Sequence, residues 1–172
     1  MYKPSDDSFF FAELLKDYIS KLKNKDISYL DMGTGSGILS ETAKNCRVKN
    51  ILAADINEES VNFVKSKNIN AIKSDLFSNI NEKFDLITFN VPYLPKAKDE
   101  PIDSQLETTG GKKGDEISLK FLKQAKEHLN KNGKIFLLIS SFTPFNRIKK
   151  FKPKIISRKN LFFEELLILE FS

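Results

Sequence analysis

Apolar residues in this chain fall into two kinds of run, and the two alternate. Short, nearly uninterrupted stretches such as Phe84-Asp85-Leu86-Ile87-Thr88-Phe89 and Ile135-Phe136-Leu137-Leu138-Ile139 read as strands covered on both faces. A strand with one wet face would alternate apolar with polar instead. Between them lie segments whose apolar positions recur three or four apart, the spacing of one helical face. The first carries Phe9, Phe10, Ala12, Leu14, Leu15, Ile19 and Leu22 behind N-cap candidates at Ser5 to Ser8. The pattern then predicts a strand at 27–31, a helix from Gly37 to about Asn45, a strand at 51–54 ending in Asp55 and a helix at 58–66. A weak strand at 71–74 ends in Asp75, and 84–89 is the fourth strand. Further on come a helix capped by Asp115 and running to about Leu129, a turn at Asn132-Gly133, a strand at 135–139 and a helical segment at 147–151. Two closing strands, at 155–156 and 166–171, are expected to lie antiparallel at one edge. Such alternation predicts an α/β fold, a mostly parallel sheet with helices on both faces. The 172 residues suit one domain, 1–172, with a core of ordinary size.

The polar residues that interrupt this pattern stand at the carboxyl ends of strands, where open α/β sheets bind ligands. Asp31-Met32-Gly33-Thr34-Gly35-Ser36-Gly37 joins the first strand to a helix. Glycines there let the backbone turn sharply and lie close to a ligand. Asp55 follows about 20 residues after the glycines, the place of an acid that hydrogen-bonds ribose hydroxyls. Asp75 and Leu76 end the third strand, and Asp31 is placed to face a cationic amino group. A dinucleotide site is the main rival. It would place its third glycine at the position of Ile38, and the loop has no basic residue for a phosphate.

After the fourth strand comes Asn90-Val91-Pro92-Tyr93. It resembles the Asn-Pro-Pro-Tyr signature of methyltransferases that modify planar nitrogens with S-adenosylmethionine. Such a nitrogen has a delocalised lone pair and attacks poorly. The Asn90 side-chain oxygen and the Val91 carbonyl can each accept one of its N–H groups, and Tyr93 can flank its plane. Acceleration then comes from positioning and from pre-oriented dipoles. Val91 stands where the signature has its first proline. A residue before Pro92 is already pushed to extended dihedrals, so the corner keeps its shape.

Tyr2-Lys3-Pro4-Ser5-Asp6-Asp7-Ser8 resembles the Tyr-x-Pro-x-Glu-Asp-Thr opening of the HemK-like glutamine methyltransferases. The glycine loop, Asp55, Asp75-Leu76, the Asn90 corner and Gly110-Gly111 follow in that family's order. Asp6 and Ser8 depart from the family's Glu and Thr but keep capping chemistry. With the opening at Tyr2, the chain resembles the compact archaeal and eukaryotic branch, without the bacterial N-terminal helical domain. The resemblance implies a Rossmann-like class I methyltransferase sheet of seven strands, the last reversed. It implies S-adenosylmethionine contacts at Ser8, Asp31, Gly33, Gly35, Gly37, Asp55, Asp75, Leu76 and Asn90, with catalysis at Asn90, Val91, Pro92 and Tyr93. It further implies methylation of the glutamine in the Gly-Gly-Gln loop of a class-1 translation release factor, and a small zinc-binding activator subunit. N-methylation of an exocyclic amino group in RNA or DNA needs the same corner, but a base must be unstacked, usually by an added module.

Composition changes this picture little. One cysteine, Cys46, excludes an internal disulfide framework and a cysteine-rich metal site; beside Arg47 it reads as a small filler. No metal is expected. No apolar stretch suits a membrane span and no secretory leader opens the chain, so a cytoplasmic protein is expected. Net charge is +5, and Arg147, Lys149, Lys150, Lys152, Lys154, Arg158 and Lys159 occur without an intervening acid. That run reads as a solvated face, with a nucleic-acid landing surface as the alternative. His128 reads as a surface residue at a helix end, and Phe9-Phe10-Phe11 and Phe162-Phe163 as core or pocket wall. The long segment 92–114 reads as a functional loop.

Overall fold

A computed structural model describes residues 4–92, 110–111 and 113–172. In chain order it contains α1 (Asp6–Lys21), β1 (Ser28–Met32), α2 (Ile38–Asn45), β2 (Asn50–Asp55), α3 (Glu58–Ser66), β3 (Asn70–Lys73) and β4 (Phe84–Asn90). These are followed by α4 (Glu116–Ala125), β5 (Leu129–Ser140), α5 (Phe145–Ile148), β6 (Lys154–Asn160) and β7 (Glu165–Phe171). The seven strands form one sheet in the order β3-β2-β1-β4-β5-β7-β6. β3, β2, β1, β4 and β5 are parallel, and β7 inserts antiparallel between β5 and β6.

The uninterrupted apolar strands are explained by a core on each face of the sheet. Phe11, Leu15 and Ile19 of α1, Leu39 and Ala43 of α2 and Val61 and Val64 of α3 cover one face. Phe121 and Leu122 of α4 and Ile148 of α5 cover the other. Along β5, Ile135, Leu137 and Ile139 enter one core while Phe136 and Leu138 enter the other, so every position from Ile135 to Ile139 is buried. The order of strands reverses direction at β1/β4, which leaves the carboxyl ends of β1, β2 and β4 around one crevice.

Several expectations need correction. The fourth helix stops at Ala125; residues Lys126–His128 are a 3₁₀ turn, in which His128 stacks on Phe77 at 4.3 Å between ring centroids. Asn132-Gly133 is a bulge inside β5 rather than a turn before it: Phe84 pairs with Leu129, yet Leu86 pairs with Lys134. Asn132 takes a left-handed φ of 66°, and a Cβ on Gly133 would lie 2.8 Å from the Phe84 carbonyl oxygen. β6 is longer than its apolar Ile155-Ile156 pair, because an edge strand carries polar residues such as Arg158 and Lys159. Phe162 and Phe163 are neither core nor pocket wall; both are fully exposed at the β6–β7 turn, and Phe9 is more than half exposed while Phe11 is buried. Of the basic run, Arg147 pairs with Asp115, Arg158 with Glu165 and Lys159 with Asp6. Among the described residues no helix is long and apolar enough to cross a membrane.

Candidate active site

β4 carries Asn90 to the carboxyl edge of the sheet, opposite Leu138 of β5. The first turn of α1 meets it there. Asn90 Nδ2 donates to Asp7 Oδ2 at 3.1 Å and approaches Ser8 Oγ at 3.5 Å. An ionised carboxylate can only accept, so it must face the amide's NH₂ end. The carbonyl end, Asn90 Oδ1, is thereby turned the other way. It is buried and has no hydrogen-bond partner among the described residues. Buried acceptors are almost always satisfied, so an orphan at a strand end is a place for a ligand's N–H. Asp7 is itself held: Ser5 Oγ donates to its Oδ1 at 2.5 Å and the Ser8 backbone N–H at 2.6 Å. Ser5, though at the N-cap position of α1, spends its hydroxyl on Asp7 rather than on the helix.

Val91 buries its side chain in the core, which leaves its backbone carbonyl as the group it can offer the site. Pro92 is backed by the glycine pair: a Cβ on Gly110 would stand 2.6 Å from the Pro92 carbonyl oxygen and 2.3 Å from that of Gly114. Gly110 is thus needed for the close approach of its backbone to Pro92 and Gly114. Tyr93, Tyr2, Lys3 and most of the segment 92–114 lie outside the described residues.

The glycine loop is shaped as much by the protein as by a ligand. Gly33 has φ +61°, and a Cβ there would come within 2.6 Å of the Phe89 ring. Gly37 has φ +78° and would meet Val64 at 2.8 Å. The Gly35 N–H donates to Asp55 Oδ2 at 2.8 Å, and the Asn57 N–H takes Oδ1 at 2.8 Å. Asp31 is buried, and three donors converge on its Oδ2: Thr34 Oγ1 at 2.7 Å, Ser40 Oγ at 2.6 Å and Ser40 N–H at 3.1 Å. Burial nevertheless raises its pKa from 3.8 to about 6 against those hydrogen bonds. Asp31 therefore anchors the loop, a role sequence reading did not assign, and burial leaves its charge under-compensated.

Asp75 and Leu76 follow β3 beside Asp55, whose carbonyl accepts from Ser74 N–H at 2.9 Å. Leu76 is buried with a left-handed φ of 51°. Asp75 is more than half exposed and bound through both oxygens to Lys120 of α4, at 2.9 and 3.1 Å. The crevice thus brings together Ser8, Asp31, Gly33, Gly35, Gly37, Asp55, Asn90, Val91 and Pro92, with Asp75 on its flank. Acids line the loop and the nearby cation Lys67, on the Ser36 carbonyl, is paired with Glu41 at 2.7 Å. Such a donor set suits a ligand with an ammonium and a ribose diol and repels a phosphate.

Residues 11–160 match the Methyltransferase small domain family, and the chain belongs to it. It is a methyltransferase, and S-adenosylmethionine is its methyl donor. The chain is 38% identical to the Putative protein N5-glutamine methyltransferase MJ0928 of Methanocaldococcus jannaschii, across 98% of its own length and 90% of that protein's. It is 30% identical to the release factor glutamine methyltransferase of Streptococcus pneumoniae over 74% of its length, spanning half of that enzyme. Among solved structures, the ribosomal protein L11 methylase of Lactobacillus delbrueckii subsp. bulgaricus superposes with TM-score 0.67 at 21% identity, covering 97% of this chain and 79% of that one. A Thermus thermophilus 16S rRNA N2 G1207 methyltransferase, solved with AdoMet and guanosine, gives 0.68 at 17% identity, covering 99% and 44%. These two likenesses are of fold.

Proposed function

We propose that the chain methylates the side-chain amide nitrogen of a glutamine, in the Gly-Gly-Gln loop of a class-1 translation release factor. The observation that carries this reading is the orphaned Asn90 Oδ1, aimed by the Asp7 carboxylate behind it. The names of the M. jannaschii and S. pneumoniae relatives support the glutamine, and the second supports the release factor.

S-adenosylmethionine, when bound, supplies an electrophilic methyl on sulfur. Asn90 Oδ1 accepts one N–H of the incoming amide and the Val91 carbonyl accepts the other. Two acceptors in fixed positions set the plane of the amide and turn its nitrogen toward the methyl. Asp7 keeps the Asn90 amide from presenting its NH₂ to the substrate, which would repel it donor to donor. Transfer would exchange the sulfur–methyl bond for a C–N bond, and the nitrogen would then lose its proton to water. Orientation therefore supplies most of the acceleration. Asp31 and Asp55 hold the ammonium and ribose ends of the donor, and Ser8 borders the same space.

The proposal includes a small zinc-binding activator on the β3 edge, a four-residue strand with one side unpaired in the sheet order. The test incubates the chain, with and without such an activator, with methyl-labelled S-adenosylmethionine and either a release factor or bulk RNA. Label in the Gly-Gly-Gln peptide is expected. Label in RNA alone overturns the reading, and full activity of the isolated chain with no binding of the activator removes the subunit.

A further inference from the structure

We infer that the β6–β7 hairpin, through Phe162 and Phe163, is the docking point for the protein that carries the target glutamine; this rests on the glutamine reading above. The two rings are 101% and 92% exposed, in a chain whose other large apolar side chains are mostly buried. Adjacent exposed phenylalanines at a turn are unfavourable in water unless something covers them.

Topology places them at the mouth of the site. β5 and β6 are both antiparallel to β7, so β6 ends, and the hairpin turns, at the same edge of the sheet as Asn90. Asn90 pairs with Leu138, and Leu138 with Ile168, three residues along β7 from Glu165. With strands roughly 4.8 Å apart and residues roughly 3.3 Å apart, the base of the turn lies about 14 Å from Asn90. A standard protein interface of roughly 800 Å² per partner is a disc of about 16 Å radius. A glutamine side chain is short, so its backbone must come down to the crevice and the protein around it must spread over this rim.

The hairpin is also fixed in place. Glu164 accepts from Ser140 Oγ at 2.6 Å, the Ser141 N–H donates to the Glu165 carbonyl at 2.8 Å, and Leu161 N–H closes the turn on the Glu164 carbonyl at 2.8 Å. Phe142, half exposed, joins it through an N–H bond to Ser140 Oγ at 3.2 Å. A turn whose backbone is held in advance loses less entropy on binding than a free loop would. The charges nearby point to a protein rather than a nucleic acid. Arg158 is paired with Glu165 at 3.1 Å and Lys159 with Asp6 at 3.5 Å, so the rim offers aromatic surface and neutralised cations. Phosphate backbones need the opposite.

The test is the double variant Phe162→Ala, Phe163→Ala, whose fold is checked by an unchanged Tm. The probes are a recombinant class-1 release factor and a short Gly-Gly-Gln peptide. We expect binding of the factor, in the presence of S-adenosylhomocysteine, and kcat/KM for it to fall tenfold or more. Affinity for S-adenosylmethionine and kcat/KM for the peptide should stay within twofold. Unchanged binding of the factor overturns the inference, as does an equal loss on peptide and factor, or a loss confined to binding of tRNA or of anionic vesicles. A wild-type chain that labels no glutamine refutes the proposed function and this docking with it. A wild type that labels glutamine beside an equally active variant refutes the docking alone.

Discussion

Asp7→Asn tests whether Asn90 acts through its orientation. In the native chain a carboxylate 3.1 Å from Asn90 Nδ2 permits one amide orientation. An asparagine at position 7 can donate or accept, so both orientations become available, and in one of them the site shows an NH₂ to the substrate. The bond also loses its charge assistance. A bond to a charged group contributes about 1.5–3 kcal/mol and a neutral one about 0.5–1.5, so about 1–1.5 kcal/mol of orienting preference disappears. Two orientations of similar energy leave about half of the chains competent at any moment, so kcat should fall about twofold in Asp7→Asn and by at least as much in Asp7→Ala. The assay is initial-rate transfer of labelled methyl with donor and substrate varied separately. KM for S-adenosylmethionine should hardly move, since Asp7 acts on the acceptor side. Ser5→Ala is the structural control: it removes a bond to Asp7 Oδ1 without touching Asn90, so it should lower Tm but spare kcat. An Asp7→Asn chain with kcat equal to that of wild type would refute the orienting role.

Asn90→Ala should bind S-adenosylmethionine nearly as well as wild type by calorimetry, yet lose roughly 100-fold or more in turnover; retained turnover would exclude the amide-clamp mechanism. Asp31 sets a pH dependence. Its pKa is raised in the folded chain from 3.8 to about 6, so the native state holds the proton longer than the unfolded state. Stability of the ligand-free protein should therefore fall as pH rises from about 4 to about 6, by about 3 kcal/mol at most, and Asp31→Asn should flatten that slope in urea titrations. Affinity for S-adenosylmethionine should run the other way, strengthening as Asp31 ionises; an affinity that is flat between pH 5 and 7 would remove the ammonium contact. Gly33→Ala forces a left-handed alanine whose Cβ lies 2.6 Å from the Phe89 ring, and should destabilise the fold by about 1–3 kcal/mol in the same titrations. Asp75→Ala breaks an exposed pair with Lys120 and should change stability by less than about 1 kcal/mol. If Asp75 also serves the donor, KM for S-adenosylmethionine rises; an unchanged KM confines it to the ion pair.

What the sequence showed, and what it hid, follows from whether a residue has a local explanation. Strands such as β5 were legible because helices cover both faces and no wet side breaks the run. The tail of β6 was not, because the needs of an edge strand look like those of a loop. The Asn132-Gly133 pair has turn chemistry, and β5 uses that chemistry for a bulge, a choice fixed by the register with β4. Phe162 and Phe163 look like core to any scale of hydrophobicity; only the hairpin's position at an edge exposes them. The site divides the same way. Asn90 follows an apolar strand, where nothing local calls for an amide, and so it stood out. Asp7 lies in the first turn of a helix, where an acid is already accounted for by the orphan N–H groups and the dipole. Its second duty, across 83 residues of chain, is invisible until the fold brings Asn90 beside it. The glycines show the converse case. Close approach to a ligand is one cause for them, and Phe89 and Val64, which fill the space beside Gly33 and Gly37, are another. A residue type that one sufficient cause explains conceals any other, so in this fold the ligand-facing groups are best sought among buried polar atoms with no cause at all, and Asn90 Oδ1 is one of these.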